Sequence, residues 1–189
     1  KLREKPASNR TESAPKPAAK SAAEGQLALP LSESVDLKLL KEIREEGVIR
    51  QQWDTSCGAA ALATVFTYTF NDPVTEREVA SGLLRQTEPL KVRHRGGFSM
   101  LDMKRYAAER GYRGIGFRGM EFEDIRYLDA PIVPVSFHGY NHYVVYKGLT
   151  PEGDVRIGDP AFGNRTLSRE RFEDAWVDGI TFVMLRGTE

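Results

Sequence analysis

Residues 50–63 of this chain read RQQWDTSCGAAALA, and they contain its only cysteine, Cys57. The polar, turn-forming residues at the start of this stretch lead directly into an alanine-rich run that predicts a buried helix. Cys57 should therefore lie at the N-terminus of that helix, where unpaired backbone N–H groups favour a thiolate. Two interpretations are open here: a nucleophile, or a cysteine that packs as a small hydrophobic residue.

Composition narrows the class of protein. With 189 residues and 40% hydrophobic residues, the chain has room for one domain plus an appendage. Basic and acidic residues balance at 27 each, so the charge does not indicate a nucleic acid or an anionic membrane as partner. No apolar run approaches the roughly 18 to 20 residues of a transmembrane segment. The chain begins at Lys1, and we expect that an initiating segment is missing, either a cleaved signal or an artificial boundary.

The first 31 residues differ in composition from the rest. Residues 1–30 contain seven alanines, four prolines and no aromatic residue, and six basic against three acidic residues give a net charge of +3. Such a segment buries too little apolar surface to offset its ordering entropy. We predict a disordered tether at residues 1–31 and one domain at residues 32–189.

Helical patterns dominate the first part of this domain. Apolar residues recur at helical spacing from Val35 to Ile43, residues 57–68 form an apolar run, and Thr75 and Ser99 each begin a capping box. A short helical segment follows around Phe122. The intervening basic residues 91–97 are interpreted as a loop.

Strand patterns dominate the remainder. Runs rich in Val, Ile, Phe and Tyr, separated by turn residues, predict strands at 132–137, 142–149, 155–159 and 180–185. One helix, capped by Ser168, interrupts them. A helical half followed by a strand half is typical of an α+β fold with an antiparallel sheet.

A thiol nucleophile needs a base, and histidine has the appropriate proton affinity. Three histidines are available. His94 lies among cationic residues and is expected on the surface, and His138 lies in a turn and is interpreted as a bystander. His142 opens a predicted strand, as a positioned base should.

The strand register supplies a third candidate residue. If Leu149 pairs with Asp154 across a hairpin turn, Asp159 lies opposite Val144 and diagonal to His142, about 7 to 8 Å away between Cα atoms. A carboxylate there would accept the Nδ1 or the Nε2 proton of the imidazole and fix its tautomer. The alternative is that Asp159 is a turn residue before Pro160.

His138 and His142 also form an H-x-x-x-H pattern, which binds zinc when a helix brings the two rings together. On extended backbone the two residues stand about 13 Å apart, so we expect no metal site and no cofactor. An oxyanion would need donors, and the Cys57 N–H with the side chain of Gln51 or Gln52 are candidates.

Three motifs in this order resemble the peptidase C39 family: Gln51 with the residues around Cys57, the run HYVVY from His142, and IGDP, which contains Asp159. The resemblance implies a papain-like cysteine peptidase fold, with Gln51 in the oxyanion role, Cys57 as nucleophile, His142 as base and Asp159 as orienting carboxylate. Familiar members are domains of peptide exporters that cleave leader peptides after a double glycine. This chain lacks a P-loop pattern and is similar to the stand-alone branch, which includes peptidases of functional-amyloid export.

The resulting hypothesis is a periplasmic cysteine peptidase that cleaves a leader or secretion substrate by a Cys-His-Asp mechanism. Its expected partners are a peptide or unfolded protein and an amyloid-export component, with no nucleic acid. The alternative is a module of the same fold that binds export substrates without cleaving them. A third hypothesis is another papain-like reaction, such as amide hydrolysis in cell-wall peptides or transglutamination.

Overall fold

The computed structural model describes residues 37–187. The predicted tether at residues 1–31 and the predicted start of the domain at residue 32 lie outside these residues. Within the described range, no helix is long and apolar enough to cross a membrane.

Seven α-helices and six strands make up the described part of the chain. The helices are α1 Leu37–Glu45, α2 Cys57–Thr64, α3 Glu76–Gln86, α4 Pro89–Arg95, α5 Met100–Glu109, α6 Phe122–Ile125 and α7 Arg169–Ala175. The strands are β1 Tyr112–Phe117, β2 Ile132–Phe137, β3 Tyr140–Leu149, β4 Val155–Asp159, β5 Gly163–Leu167 and β6 Thr181–Arg186. This confirms the predicted α+β class.

The strands form one antiparallel sheet in the order β1-β6-β2-β3-β4-β5, with a layer of helices on each face. One core joins α2, α3 and α5 to sheet residues such as Val145 and Phe182. A second core joins α6 and α7 to Val144, Tyr146 and Ile157 on the opposite face. Because Val144 and Val145 belong to different cores, β3 is buried on both sides, as its apolar run predicts.

The predicted helix starts are confirmed. Thr75 and Ser99 form complete capping boxes at α3 and α5, and the Ser168 hydroxyl accepts a hydrogen bond from the N–H of Arg171 at the start of α7. Helix α2 begins at Cys57 and continues as a π-helical turn from Val65 to Thr69.

The predicted loop at residues 91–97 is wrong, because most of it is helix α4. Pro89 occupies the first turn, Val92 is buried, and Gly96 ends the helix in the left-handed conformation with φ 76°. These helix start and stop signals outweigh the density of positive charge, which faces solvent.

Two strands were missed. β1 follows α5 inside the predicted helical half, and β5 reads GNRTL, which is short and rich in turn-forming residues. Both lie at the edges of the sheet, where a strand needs only one partner and a weaker pattern suffices.

The β3–β4 hairpin has the predicted register at the end that carries His142. Val145 faces Gly158 and Tyr146 faces Ile157, which continues to Val144 opposite Asp159. The predicted pair of Leu149 with Asp154 is wrong, because the register shifts and Leu149 faces Val155. The irregularity lies next to Gly148, whose φ of 91° favours glycine.

Candidate active site

Cys57 is the first residue of α2, and its side chain is almost buried. The first intrahelical hydrogen bond runs from the N–H of Ala60 to the carbonyl of Ser56, at 2.9 Å. The N–H groups of Cys57 and Gly58 therefore have no partner within the helix. Ser56 occupies the N-cap position, but its side chain does not cap these groups.

Glu76 explains why Ser56 leaves the helix uncapped. This carboxylate, 2% exposed at the start of α3, lies with Oε1 2.5 Å from the Ser56 hydroxyl and accepts a hydrogen bond from the N–H of Gln52 at 3.0 Å. The Ser56 hydroxyl is thus turned toward Glu76 and the carbonyl of Trp53. Glu76 therefore binds Gln52 and Ser56, the two ends of the loop that precedes Cys57.

Sequence reasoning missed Glu76, although a signal was present. Its position is three residues before Val79 and seven before Leu83, which places it on the buried face of α3. A carboxylate on an apolar helix face needs hydrogen-bond partners, and here they come from the cysteine loop.

His142 and Asp159 are hydrogen bonded, with 2.7 Å between Nε2 and Oδ1, and both side chains are buried. The other ring nitrogen, Nδ1, is buried and makes no hydrogen bond of standard geometry among the described residues. Cys57 and His142 line the same cleft. The imidazole is therefore fixed at Nε2, and Nδ1 remains available to exchange a proton.

The surroundings of His142 stabilise its charged form. Burial alone would lower the pKa of His142, but side-chain hydrogen bonds with Asp159 and Cys57, and the electrostatic effect of the same two groups, raise it to about 9. Burial would raise the pKa of the Asp159 carboxyl. The contacts with His142 and Arg165 outweigh burial and lower this pKa. The pair is held as imidazolium and carboxylate at neutral pH.

Asp159 is also a turn residue, so the two interpretations of it are compatible. Its Oδ1 accepts hydrogen bonds from the backbone N–H groups of Ala161 and Phe162 at 2.8 and 3.2 Å. Its Oδ2 accepts one from Arg165 at 3.0 Å. The turn after β4 thus fixes the carboxylate that orients His142.

A cleft of about 340 Å³ opens over Cys57 and His142. One side is formed by the α4–α5 connection, and the other by β2, β3 and the turn after α7. The residues that line it besides Cys57 and His142 are Arg95, Gly96, Gly97, Phe98, Ser99, Met100, Pro134, Asn141, Tyr143, Val177 and Ile180. Cys57 and His142 therefore share one open cleft with the α4–α5 connection.

The two candidate glutamines lie in different surroundings. The backbone N–H of Gln51 donates to the carbonyl of Pro160 at 2.9 Å, and its side chain interacts with the hydroxyl of Tyr140, whose ring stacks on His142. One hydrogen of its amide nitrogen is directed to the carbonyl of Trp53, at 3.0 Å. The Gln52 side chain is exposed.

The other histidines lie apart from this constellation. His94 is exposed on α4, and His138 is exposed in the β2–β3 turn with φ 51°. His142 lies in extended backbone, so the pair does not have helical spacing. In the part of the chain that the structure describes, no group of three His, Cys, Asp or Glu residues is arranged to hold a metal ion.

Residues 45–188 match the profile of the Peptidase C39 family, and the chain belongs to this family. Two curated relatives are named probable functional amyloid protease FapD. The protein from Pseudomonas aeruginosa is 39% identical over 77% of this chain and 63% of its own length. The protein from Pseudomonas fluorescens is 38% identical over 85% of this chain and 72% of its own length. The chain thus spans under two thirds of the first relative.

Solved structures have the same fold. A double glycine motif protease from an AMS/PCAT transporter, solved with its leader peptide, is 28% identical with a TM-score of 0.59, covering 72% of this chain and 89% of its own. The peptidase domain of Streptococcus ComA is 22% identical with a TM-score of 0.57, covering 74% and 97%. The fold is therefore the papain-like fold of C39 peptidase domains.

We expect Glu76→Ala to lower the free energy of unfolding by about 1 to 3 kcal/mol, because the Gln52 N–H loses its acceptor and the Ser56 hydroxyl loses one of its two. Denaturant unfolding measures this change. Arg77→Ala, at the exposed next position, is the control and should change it by less than about 0.5 kcal/mol. Equal effects of the two substitutions would contradict the role of Glu76.

We expect His142 to titrate at about pH 9 and to titrate lower in Asp159→Asn, which lacks the carboxylate. Because the folded pKa is raised, the contribution of His142 to stability is complete below about pH 6.5 and is lost as the pH rises through 9. An NMR titration of the ring carbons measures the pKa. An unchanged midpoint in Asp159→Asn would contradict this account.

Proposed function

We propose that this protein is a cysteine peptidase in which Cys57 is the nucleophile, His142 the general base and acid, and Asp159 the orienting carboxylate. The observation that carries the proposal is the buried bond between His142 Nε2 and Asp159 Oδ1, together with the interaction of His142 with the Cys57 side chain in the same cleft.

In the first half of the reaction, His142 already holds, as an imidazolium, the proton that the Cys57 thiol has given up. The Cys57 thiolate attacks the carbonyl carbon of the substrate peptide bond. The negative charge develops on the carbonyl oxygen. The proposed donors for this oxyanion are the Cys57 N–H at the start of α2 and the side-chain amide of Gln51, whose nitrogen would turn from its present acceptors toward the substrate. His142 then protonates the leaving amine as the carbon–nitrogen bond breaks, which leaves a thioester.

In the second half, a water molecule gives a proton to His142 and attacks the thioester. The carbon–sulfur bond breaks, the carboxylic acid product leaves, and the Cys57–His142 pair is restored. Asp159 keeps the ring orientation through both halves. Tyr143, next to His142, is not a competing base, because burial raises its pKa to about 12 and keeps it protonated.

The proposed substrate is a leader peptide or another secretion substrate in the periplasm. Two observations support this choice: the relatives are named functional amyloid proteases, and a structural neighbour was solved with a leader peptide. The partner is then a component of an amyloid-export system. The small residues Gly96 and Gly97 on the wall of the cleft suit a substrate with little side-chain volume at the scissile bond.

The test compares the purified protein with Cys57→Ala on peptides that span candidate leader junctions, including double-glycine junctions. We expect cleavage by the unmodified protein and none by Cys57→Ala, measured by mass spectrometry of the products. His142→Ala should reduce the rate by about 10²- to 10⁴-fold, the usual contribution of a general base. Tight binding without cleavage would instead support a non-cleaving module, and acyl transfer to an amine would support transglutamination.

The oxyanion role is tested by two matched variants. Gln51→Ala should lower kcat by about 10²- to 10³-fold with little change in KM, because the lost bond forms only in the transition state. Gln52→Ala retains its backbone bond to Glu76 and should keep kcat near that of the unmodified protein. A larger loss in Gln52→Ala would reverse the assignment.

A further inference from the structure

The Asp159 carboxylate has different partners on its two oxygens. Oδ1 accepts hydrogen bonds from His142 and from two backbone N–H groups. Oδ2 accepts from the guanidinium of Arg165, and it has no other side-chain donor among the residues described. Asp159 is fully buried, so a second cation matters to its charge.

Arg165 is built into the fold rather than free in solvent. It lies on β5 directly opposite Ile157, so it is diagonal to Asp159 across the strand pair. Its guanidinium lies over the rings of Phe137 and Phe162, with 5.1 and 5.4 Å between its carbon and the ring centroids. Only 28% of the side chain is exposed. The two rings therefore limit the positions that the guanidinium can take.

We propose that Arg165 is a positioning residue, which acts through Asp159 by neutralising Oδ2 and keeping Oδ1 directed at His142. It contacts neither Cys57 nor the cleft. A buried carboxylate that must stay ionised beside an imidazolium is braced from its far side by a cation that packs on two aromatic rings. The effect of the Arg165–Asp159 contact on catalysis rests on the proposed function, whereas the contact itself does not.

The other charged groups near Asp159 define the controls. His142 approaches from β3, and the phenol of Tyr140 lies near both. Arg50 donates to the carbonyls of Pro160 and Ala161, so it supports the same turn from the backbone side. Arg156 on β4 donates to the carbonyl of Lys147 and makes no contact with Asp159, so it is a matched surface control.

The test follows the ring resonances of His142 by NMR from pH 7 downward. Protonation of Asp159 removes its charge from His142 and produces an acid step in these resonances. In Arg165→Met the step should move upward by about 1 to 3 pH units, the usual effect of losing an opposite charge at this distance. Arg165→Lys should move it less, and Arg156→Met should leave it in place. Circular dichroism checks that each variant is folded.

An acid step that stays in place in Arg165→Met, or that moves equally in Arg156→Met, would overturn the proposal. The pH profile of kcat/KM is the second measurement, and its acid limb should move with the NMR step. If the unmodified protein cleaves nothing but the NMR step moves, the peptidase assignment fails and the brace stands. A lowered melting temperature without a moved step would indicate a structural role only.

Discussion

The site depends on a fully buried negative charge, that of Asp159. An isolated carboxylate at this depth would be strongly unfavourable, and this one persists because His142, Arg165 and two backbone N–H groups share it. Those donors come from β3 and β5, the two strands that flank β4, and from the turn between β4 and β5. The donors reach Asp159 only because β3, β4 and β5 are neighbours in this order, an order on which the hydrophobic core also depends.

A second buried acidic residue, Glu76, organises the loop that leads to Cys57. It draws the Ser56 hydroxyl away from the start of α2, so the first backbone N–H groups of that helix remain unpaired. A serine at an N-cap normally satisfies these groups and stabilises the helix. Here local helix stability is lower, and donors are left free beside a thiol. The two halves of the site are therefore each organised by one acidic residue.

Much of this arrangement could be predicted from sequence because it follows from periodicity and pairing. The alternation of β3 and β4 placed His142 and Asp159 together, and the capping boxes at Thr75 and Ser99 located two helices. Helix α4 was misassigned because its charge pattern was given more weight than its Pro and Gly boundaries.

The residues that brace the site were harder to find. Arg165 lies on an edge strand whose sequence resembles a turn, and the partners of Glu76 are a loop N–H and a serine 20 residues away. Such contacts depend on tertiary placement, which no local pattern contains. The roles of Cys57, His142, Asp159 and Gln51 in catalysis remain the predictions made from motif and spacing.

Helix α1 links the site to the preceding part of the chain. The side-chain amide of Asn164, next to Arg165, donates to the carbonyls of Ile43 and Glu46 at the end of α1, and Lys147 also donates to Glu46. These bonds tie the end of α1 to β5, the strand that carries Arg165. Loss of α1 would therefore remove the acceptors of Asn164 and loosen the strand position on the far side of the Asp159 carboxylate.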